Sequence, residues 1–569
     1  MKIAADRREF FSYFTGLGLS STLFPGALWA QVQQTRPARI TKERLRDASA
    51  VAGLSFTERE LDTMLDGVNQ TLARYAELRK VPLDNSVAPP LYFNPVVAGM
   101  QIDRVRRPFR PSHAPRVTRP QNLEDAAFWP VTQLAELLRS RQVKSVELAE
   151  MYLERLKRYN PKLLCAVTLT EDLAMRQARD ADQEIAAGRY RGPLHGIPWG
   201  VKDLCAAKGY PTTWGAAPFK TRIIDEDATV VSRLHAAGAV LVAKLATGEL
   251  ALDDIWFGGQ TKNPWDLTMG SQGSSAGPGS ATAAGLVGFS IGTETLGSIV
   301  EPSGICGVTG LRPTFGRVSR HGAMALSWSL DKIGPMCRSV EDCALVLVAI
   351  QGPDDRDLAV QDVPFNWDAA LDIRKLRVGY LKAAFSNTNQ TAQTNANDAA
   401  ALEKLRALGV SLREVELPEH AGMDPLLILW GEANAALKNP IQTQPAGLVR
   451  QDRVVSQNAV RLLPAAEFLD SQRVRGLLMR EMARVMSNID VYVVPFDYSD
   501  YTPNPVASMN TSVTNLTGQP CVLVPHGFNE KGNPTSLTFI GRVFAEAEML
   551  ALAKAYQDST DWHLRHPKL

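Results

Sequence analysis

The stretch Gly270-Ser-Gln-Gly-Ser274-Ser275-Ala-Gly277-Pro-Gly-Ser280 is a loop rich in glycine and serine that leads into a run of small residues. Downstream, Gly292-Thr-Glu-Thr-Leu-Gly297-Ser298-Ile299 predicts a strand that ends in a Gly-Ser turn, whose backbone N–H groups are free to face a ligand. Upstream, Gly196-Ile-Pro-Trp-Gly-Val-Lys202-Asp203 places a lysine after an apolar run, where a charged amine is costly to bury. Each of these segments alone is a weak signal.

Outside these segments, short apolar runs alternate with helical patterns. Leu134–Arg158 predicts one amphipathic helix, and Ser386–Asp398, rich in Asn, Thr and Gln, predicts a loop. Buried strands are predicted at Val240–Ala243, Leu286–Thr295, Leu376–Leu381, Val491–Val494 and Val522–Pro525. Apolar strands that alternate with helices predict an α/β fold with a largely covered sheet.

Composition excludes several classes of protein. The chain has 569 residues, of which 45% are apolar, and its 62 Lys and Arg nearly balance 60 Asp and Glu. Global disorder is therefore excluded, and neither nucleic acid nor an anionic membrane surface is expected as a partner. The six cysteines are scattered without a CxxC pair, and no His, Cys or carboxylate cluster has convincing metal-ligand spacing. We expect no metal and no cofactor.

The N-terminus has the pattern of a targeting segment. Arg7 and Arg8 precede a moderately apolar stretch from Phe10 to Ala30, which predicts a twin-arginine export signal over residues 1–30 and a periplasmic or extracellular location. An ordinary amphipathic helix is the alternative. Leu28 is a poor small residue for cleavage near Ala30, so an uncleaved membrane anchor also remains open. No later segment is apolar and long enough for a second membrane span.

Residues 31–125 form a predicted N-terminal extension. The overlapping Ser55-Phe-Thr-Glu58 and Thr57-Glu-Arg-Glu60 are candidate capping boxes before a helical pattern. Between Val81 and Pro120, arginines are interleaved with prolines. This pattern fits a basic binding arm or an extended strap across the surface, and we favour the strap. The alternating α/β texture begins near residue 126 and continues to residue 569.

Two familiar serine motifs compete for the chemistry. Gly273-Ser-Ser275-Ala-Gly277 fits the GxSxG nucleophile elbow, which would need a downstream acid and histidine. His526 and His563 are present, but the sequence around neither of them indicates a catalytic histidine. Ser329-Leu-Asp-Lys332 fits SxxK, yet no Lys-Thr-Gly follows, and we interpret this match as chance.

The three segments, taken in order, resemble the amidase signature family. The resemblance runs from about Phe128 to Tyr556 and identifies residues 126–569 as an amidase signature domain. Further matching segments are Gly192–Pro198, Asp227–Val231, Asn263–Trp265, Cys306–Arg317, Thr517–Pro520 and Ile540–Arg542. The resemblance implies a mixed central β-sheet covered by helices on both faces, preceded here by the N-terminal helical extension.

The resemblance also implies a catalytic set of Lys202, Ser274 and Ser298. Ser298 occupies the family's nucleophile position, and Ser274 that of a bridging serine held after a cis peptide bond. Their order and the separation of 24 residues between the two serines both match the family. Ser275 is then a neighbouring support. The backbone N–H groups of Thr295, Leu296, Gly297 and Ser298 would form the oxyanion hole.

Elementary chemistry explains these residue types. A serine hydroxyl is a weak nucleophile until a base takes its proton, and a free lysine is protonated at pH 7 because its pKa is about 10.4. Burial disfavours the charged amine; bringing its pKa to about 7.5 corresponds to roughly 4 kcal/mol. A neutral Lys202 would then accept a proton from Ser274, which would accept one from Ser298.

Several positions depart from the family's usual pattern. Leu296 stands where the family usually has glycine, and Val300 where arginine is common. Ala276, Pro278 and Glu294 also differ from the residues usual in the family. The hydrogen bonds that support the site in the family are therefore not assured in this chain. Leu296, Val300 and Trp214 predict an apolar pocket and a substrate with a bulky or aryl group, unless these side chains merely pack the core.

The sequence therefore predicts an exported serine hydrolase that cleaves small-molecule amides, with esters or carbamates as further substrates. Two alternatives stay open. One is the glutaminase-type subunit of a tRNA amidotransferase, against which the export signal argues. The other is a catalytically silent binding protein on the same scaffold, which Leu296 and Val300 suggest.

Overall fold

The computed structural model describes residues 40–78, 80, 81, 84–418, 424–438, 447–451, 460, 462–498 and 503–569. The predicted twin-arginine signal over residues 1–30 lies outside these described residues. The chain divides into two compact units, one of residues 1–83 and 462–464 and the other of residues 84–461 and 465–569. From residue 84 onward, the predicted strap therefore belongs to the same unit as the sheet described below.

The first unit contains a helical hairpin, as the sequence predicts for this region. Its helices are α1 (Lys42–Val51) and α2 (Glu58–Leu78). The start of α2 has a capping box, in which the Thr57 N–H donates to Glu60 Oε2 at 2.7 Å and the Glu60 N–H donates to Thr57 Oγ1 at 3.3 Å. The amide of Asn69 clamps the chain before α1, because its Oδ1 accepts from the Ile40 N–H at 2.7 Å.

The second unit is built on one sheet of eleven strands, with two small hairpins beside it. The order across the sheet is β1-β3-β2-β8-β10-β9-β14-β15-β13-β11-β12, while β4 pairs with β5 and β6 with β7. The strands are β1 (Ala166–Leu169), β2 (Pro198–Lys202), β3 (Val240–Leu245), β4 (Ile255–Trp256), β5 (Gly259–Gln260), β6 (Lys262–Asn263), β7 (Asp266–Gly270), β8 (Phe289–Glu294), β9 (Thr309–Arg312), β10 (Lys332–Cys337), β11 (Val378–Tyr380), β12 (Leu412–Glu414), β13 (Val491–Pro495), β14 (Cys521–Phe528) and β15 (Pro534–Gly541).

The sheet is mixed, which confirms the predicted fold class. β2 runs parallel to both β3 and β8, and β11 runs parallel to both β12 and β13. The intervening strands from β10 to β15 pair antiparallel. All five predicted strand regions contain a strand, although β8 and β11 are shorter than the apolar runs that predicted them.

Both faces of the sheet are buried. Along β13, Val491 and Val493 belong to one apolar cluster, whereas Tyr492 and Val494 belong to another on the opposite face. Successive side chains of a strand point to opposite faces, so a strand between two helical layers must be apolar throughout. This explains why these strands appear in the sequence as continuous apolar runs.

Helices cover the sheet in the described part of the second unit. They are α3 (Val131–Arg139), α4 (Ser145–Leu163), α5 (Glu171–Ala186), α6 (Thr229–Ala236), α7 (Ala276–Ala283), α8 (Val300–Cys306), α9 (Val340–Ile350), α10 (Lys382–Phe385), α11 (Ala392–Ala407), α12 (Pro425–Ala436), α13 (Ala465–Ser487), α14 (Pro505–Thr517) and α15 (Glu546–Asp558).

Two local predictions are wrong. The amphipathic pattern of Leu134–Arg158 is split between α3 and α4, because Arg141 is left-handed (φ 57°) and Asp182 accepts hydrogen bonds from the first N–H groups of α4. The predicted loop at Ser386–Asp398 contains the start of α11. Thr391 caps that helix through a hydrogen bond from the Thr394 N–H at 3.2 Å, so polar residues open a helix there.

The Pro- and Arg-rich segment runs extended along the second unit, as the strap interpretation expects. Its Arg110 N–H donates to the Trp367 carbonyl at 2.9 Å, and Arg119 pairs with Glu147 at 2.7 Å. Across the ranges that the structure describes, we find no helix with the length and apolar character needed to cross a membrane.

Candidate active site

The sheet brings two of the three sequence segments to one edge. β2 and β8 are parallel neighbours, with Val201 opposite Ile291, so their carboxyl ends lie on the same side of the sheet. Lys202 is the last residue of β2, and the turn that contains Ser298 follows directly after β8. Side chains at the carboxyl ends of adjacent parallel strands converge, and this edge is where such sheets hold their ligands.

Lys202 is completely buried and surrounded by oxygen atoms. Its Nζ lies 2.8 Å from Ser274 Oγ, 3.0 Å from Ser275 Oγ, 2.9 Å from Thr293 Oγ1 and 3.3 Å from the Thr293 carbonyl oxygen. Each of these oxygens belongs to an uncharged group. The amine therefore has hydrogen-bond partners but lacks a carboxylate at contact distance among the described residues.

Burial sets the protonation state of this amine. Removal from water disfavours the ammonium form and lowers the pKa of Lys202 from 10.5 to about 7, while the more distant Asp331 and Glu294 oppose this only weakly. A substantial share of the molecules thus carries a neutral amine at neutral pH.

Hydrogen-bond accounting distinguishes the two serines beside Lys202. Ser275 donates its hydroxyl hydrogen to the Thr293 carbonyl at 3.0 Å and accepts from the Thr293 N–H at 3.1 Å, which ties it to β8. Ser274 follows a cis peptide bond after Gly273, and its hydroxyl has Lys202 as its hydrogen-bond partner. Because the hydroxyl hydrogen of Ser275 is already donated to Thr293, of the two only the hydroxyl of Ser274 can donate a proton to a neutral Lys202.

Ser298 is the serine that faces open space. It lines a cavity of about 380 Å³, whereas Ser274 and Ser275 are buried behind the wall of that cavity. The Ser275 N–H donates to the Ser298 carbonyl at 3.1 Å, which joins the serine loop to the turn. Within the described part of the chain, no hydrogen bond joins the Ser274 and Ser298 hydroxyls.

The turn before Ser298 presents unused donors. Among the described residues, the N–H groups of Thr295, Leu296, Gly297 and Ser298 have no hydrogen-bond acceptor. Gly297 is left-handed (φ 90°), and a Cβ atom there would lie 2.2 Å from the Glu301 carboxylate. Glycine is therefore required at this position to give the turn its shape.

Glu294 supplies the hydrogen-bond support that its departure from the family pattern had questioned. Its Oε2 accepts from the N–H groups of Ile299 at 2.8 Å and Val300 at 3.0 Å, directly after Ser298. Its Oε1 accepts from Arg312 at 2.8 Å and from Asn515 at 2.9 Å. The longer side chain of glutamate thus reaches across the turn and fixes it.

The charge on Glu294 is stabilised despite complete burial. Desolvation alone would raise the pKa of the carboxyl, but Arg312 and Lys332 outweigh it and lower the pKa to about 2. On the other side of the turn, the Thr295 hydroxyl donates to Asp331 Oδ1 at 2.6 Å. The buried Glu294 and the partly buried Asp331 therefore anchor the segment that carries Ser298.

The cavity at Ser298 has an apolar wall that sequence reasoning identified only in part. Leu296 lines it, as the interpretation of this residue as a pocket wall expects. Further apolar side chains come from α12 and from the segment after β13, and they are Leu426, Leu429, Trp430, Phe496 and Tyr498. These residues are more than 120 positions from Ser298, and no motif in the sequence marks them.

The other two residues predicted for the pocket lie elsewhere. Val300 is 3% exposed, packs in an apolar cluster of the core and does not line the cavity at Ser298. Trp214 is outside this cavity as well; it lines a second cavity of about 590 Å³, and the Arg222 guanidinium stacks over its ring at 3.6 Å. Ala251, Thr295 and Leu326 line both cavities.

The competing serine motifs find no support in the geometry. His526 is buried against Asp398 at 2.7 Å, and Ser275 bonds to Lys202 and Thr293 instead of a histidine. Ser329 accepts from Arg475 at 2.8 Å, while Lys332 donates to Asn515 at 2.7 Å. For metals, the described residues contain no group of three or more His, Cys, Asp or Glu side chains arranged to hold an ion.

Comparison with known proteins gives the family. The sequence model described as Amidase matches residues 147–550. The chain is 35% identical over 480 residues to a Glutamyl-tRNA(Gln) amidotransferase subunit from Methylococcus capsulatus, and the match covers 77% of this chain and 98% of that protein. The corresponding protein of Roseiflexus castenholzii is 36% identical over 479 residues, covering 77% of this chain and 97% of that protein.

Solved structures agree with the sequence matches. The native peptide amidase from Stenotrophomonas maltophilia superposes with a TM-score of 0.68 at 30% identity, covering 76% of this chain and 97% of that one. The shared fold and the long match to the family model lead to one conclusion: this chain belongs to the amidase family and is a hydrolase that acts on carbon–nitrogen bonds.

Proposed function

We propose that the chain hydrolyses small-molecule carboxylic amides through an acyl-enzyme on Ser298. The observation that carries this proposal is the fully buried Lys202, whose Nζ lies 2.8 Å from Ser274 Oγ and whose pKa is lowered to about 7. A binding protein would have no need for an amine that is neutral near pH 7. Such a group is typical of a general base.

The first step forms the acyl-enzyme bond. Rotation of the Ser298 side chain brings its hydroxyl to Ser274, and Ser298 Oγ attacks the amide carbonyl carbon. The Ser298 proton passes to Ser274 Oγ while the Ser274 proton passes to the neutral Lys202. Through Ser274, one proton is transferred in effect from Ser298 to Lys202, which share no direct hydrogen bond in the described structure. Lys202 becomes an ammonium group.

The turn before Ser298 stabilises the charge that develops in this step. The carbonyl oxygen becomes an oxyanion, and the unused N–H groups of Thr295 to Ser298 are the donors available to it. Each well-placed donor of this kind contributes about 3 kcal/mol to the transition state. Glu294 keeps these donors in place through its hydrogen bonds to the next two N–H groups.

The second step breaks the carbon–nitrogen bond. The Lys202 ammonium returns a proton to Ser274, which passes its own to the departing nitrogen, so that a neutral amine leaves. Water then attacks the ester on Ser298 with the same relay as base. The products are a carboxylic acid and an amine or ammonia, and the relay returns to its starting state.

A second function is favoured by one specific observation. The curated relatives named above belong to Glutamyl-tRNA(Gln) amidotransferases, and the match covers nearly their full length. We therefore keep as the alternative a glutaminase activity that depends on partner proteins. It differs from the first proposal in requiring glutamine and the other amidotransferase components for full rate.

The cavity supports an apolar substrate group. Trp430, Phe496 and Tyr498 surround the space in front of Ser298, together with Leu296. Aromatic side chains of this kind bind a bulky or aryl group by burial and ring stacking. We propose that the preferred amide carries such a group next to the scissile bond.

We also propose that the chain is exported. The support is the sequence alone, namely Arg7 and Arg8 before the moderately apolar stretch that ends near Ala30. Expression of the full chain in a bacterium should place it in the periplasmic fraction, and the pair of changes Arg7→Lys and Arg8→Lys should retain it in the cytoplasm. Equal distribution of both forms would contradict export by this route.

Replacement of Ser298 tests the nucleophile. A fluorophosphonate probe should form one adduct, on the peptide that contains Ser298. The variant Ser298→Ala should not form this adduct, and its amidase activity should be at least about 1,000-fold lower. Mass spectrometry of the digested protein measures the adduct. Ser559→Ala, at a helix end outside the site, serves as the matched control and should label like the unchanged chain. Labelling of Ser298→Ala at another serine would contradict the proposal.

The pH dependence tests the base. Lys202 must be neutral to act, so the rate of fluorophosphonate labelling should be constant above a pKa of about 7 and fall tenfold per pH unit below it. Lys332 also has a pKa lowered to about 7, and Lys332→Met is therefore the control. The acid limb should persist in that variant whatever its overall rate. Loss of the acid limb in Lys332→Met would mean that the limb reflects the titration of Lys332, which would contradict the proposal that Lys202 is the base.

A substrate panel tests the proposed substrate class and its alternative. The purified chain should hydrolyse an anilide with a higher kcat/KM than acetamide, and Trp430→Ala should lower kcat/KM for the anilide about tenfold while changing acetamide less than twofold. Mass spectrometry of the released acids measures both. A preference for acetamide would contradict the aryl proposal. Activity confined to glutamine, and dependent on the other amidotransferase components, would favour the alternative.

A further inference from the structure

The second unit contains a cavity that the proposed amide chemistry does not use. It has a volume of about 1080 Å³, which is slightly above the usual range for small-molecule sites. Its walls come from the strap around Val97–Asp103, from the last turns of α13 and from the turn after β15. Gln519 and Arg542, from two segments included in the family resemblance but absent from the catalytic set, both line it.

Charged groups of both signs line this cavity, and the positive ones prevail by one. The cations are four arginines, Arg107, Arg480, Arg484 and Arg542, and the anions are the carboxylates of Asp103, Asp368 and Glu548.

Most of these charges already have partners. Arg107 pairs with Asp103 at 2.6 Å, and Asp368 pairs with Arg110 at 3.5 Å. Arg542 lies 3.2 Å from Asp490 and 3.9 Å from Glu548. The Nε atom of Arg542 is nevertheless buried without a hydrogen-bond acceptor in the described structure, which leaves a donor unused at this wall.

Arg480 and Arg484 differ from the others. They lie four residues apart on α13, so both project from one face of the helix, and both line the cavity. Across the described ranges, neither guanidinium has a carboxylate or other hydrogen-bond partner. Both arginines are exposed, and two neighbouring guanidinium groups without a carboxylate at contact distance in the described structure give this end of the cavity a positive charge that attracts an anion.

The rest of the lining is largely apolar. Met100 and Ile102 of the strap, Phe365, and Val543 and Phe544 after β15 contribute side chains to it. Phe544 is 8% exposed and Val543 is 5% exposed, so this part of the lining belongs to the packed interior. A ligand that fits must therefore have an apolar body as well as an anionic end.

We propose that this cavity is a binding site for an amphipathic monocarboxylate, with its carboxylate on Arg480 and Arg484 and its hydrocarbon or aryl body against Phe365 and Phe544. Guanidinium groups bind carboxylates bidentately, which favours this anion. The apolar wall argues against inorganic phosphate, which has no apolar body. The site is separate from Ser298, and the inference does not depend on the proposed reaction.

Decanoate, used below its micelle concentration, is the probe that tests the site by isothermal titration calorimetry on the full chain. The unchanged chain should bind one decanoate, and acetate and inorganic phosphate should bind at least tenfold more weakly. The double variant Arg480→Ala/Arg484→Ala should lose at least about tenfold in affinity because charge-assisted hydrogen bonds are removed. Ala483→Trp, which fills the cavity from the same helix, should do the same.

Arg473→Ala is the matched control, since Arg473 lies on α13 outside the cavity and pairs with Asp470 at 2.7 Å. It should bind decanoate within twofold of the unchanged chain. Three results would overturn the inference: no heat of binding in the unchanged chain, undiminished binding in the double variant and in Ala483→Trp, or phosphate binding as tight as that of decanoate. Undiminished binding would place decanoate elsewhere, including the cavity at Ser298.

Discussion

The site depends on the burial of one amine among uncharged oxygens. Lowering the pKa of Lys202 from 10.5 to about 7 corresponds to roughly 5 kcal/mol against its charged form. Lys244, on the neighbouring strand β3, shows what a different environment does. It is equally buried, and burial lowers its pKa as well, but Asp203 lies 2.7 Å from its Nζ and opposes that shift. The two buried lysines on paired strands therefore differ in their neighbours, because Lys244 has a carboxylate at contact distance and Lys202 has, among the described residues, only uncharged oxygens.

The second constraint is the buried carboxylate of Glu294, which acts in the opposite sense. Arg312 and Lys332 keep it ionised, and as an ion it accepts hydrogen bonds from two N–H groups that follow Ser298. Hydrogen bonds to a charged acceptor are stronger than neutral ones, so the turn is held firmly. A buried amine with a lowered pKa and an ionised carboxylate therefore lie close together on one sheet edge, each set by its own neighbours.

Much of this architecture could be predicted from the sequence, and the limits have physical causes. Strands such as β13 are apolar throughout because both faces are covered, and the order of the segments around Lys202, Ser274 and Ser298 predicted the family. The split of Leu134–Arg158 into two helices depends on Asp182, a contact made in three dimensions. The cavity wall at Trp430 and Phe496 likewise comes from distant chain segments that leave no local pattern. Val300 is two residues after Ser298, yet the helix that starts there turns its side chain into the core.

In the proposed reaction, a pKa of about 7 suits both directions of proton transfer. A lysine of ordinary pKa would be protonated at neutral pH and unable to accept the proton from Ser274. A much lower pKa would leave too weak a base to activate the hydroxyls. At about 7 the neutral form is available for attack, and the ammonium form that results is acidic enough to protonate the departing amine. Because an amine leaves poorly without a proton, this second role matters most for amides. The environment of Lys202 is thus matched to the bond that the family cleaves.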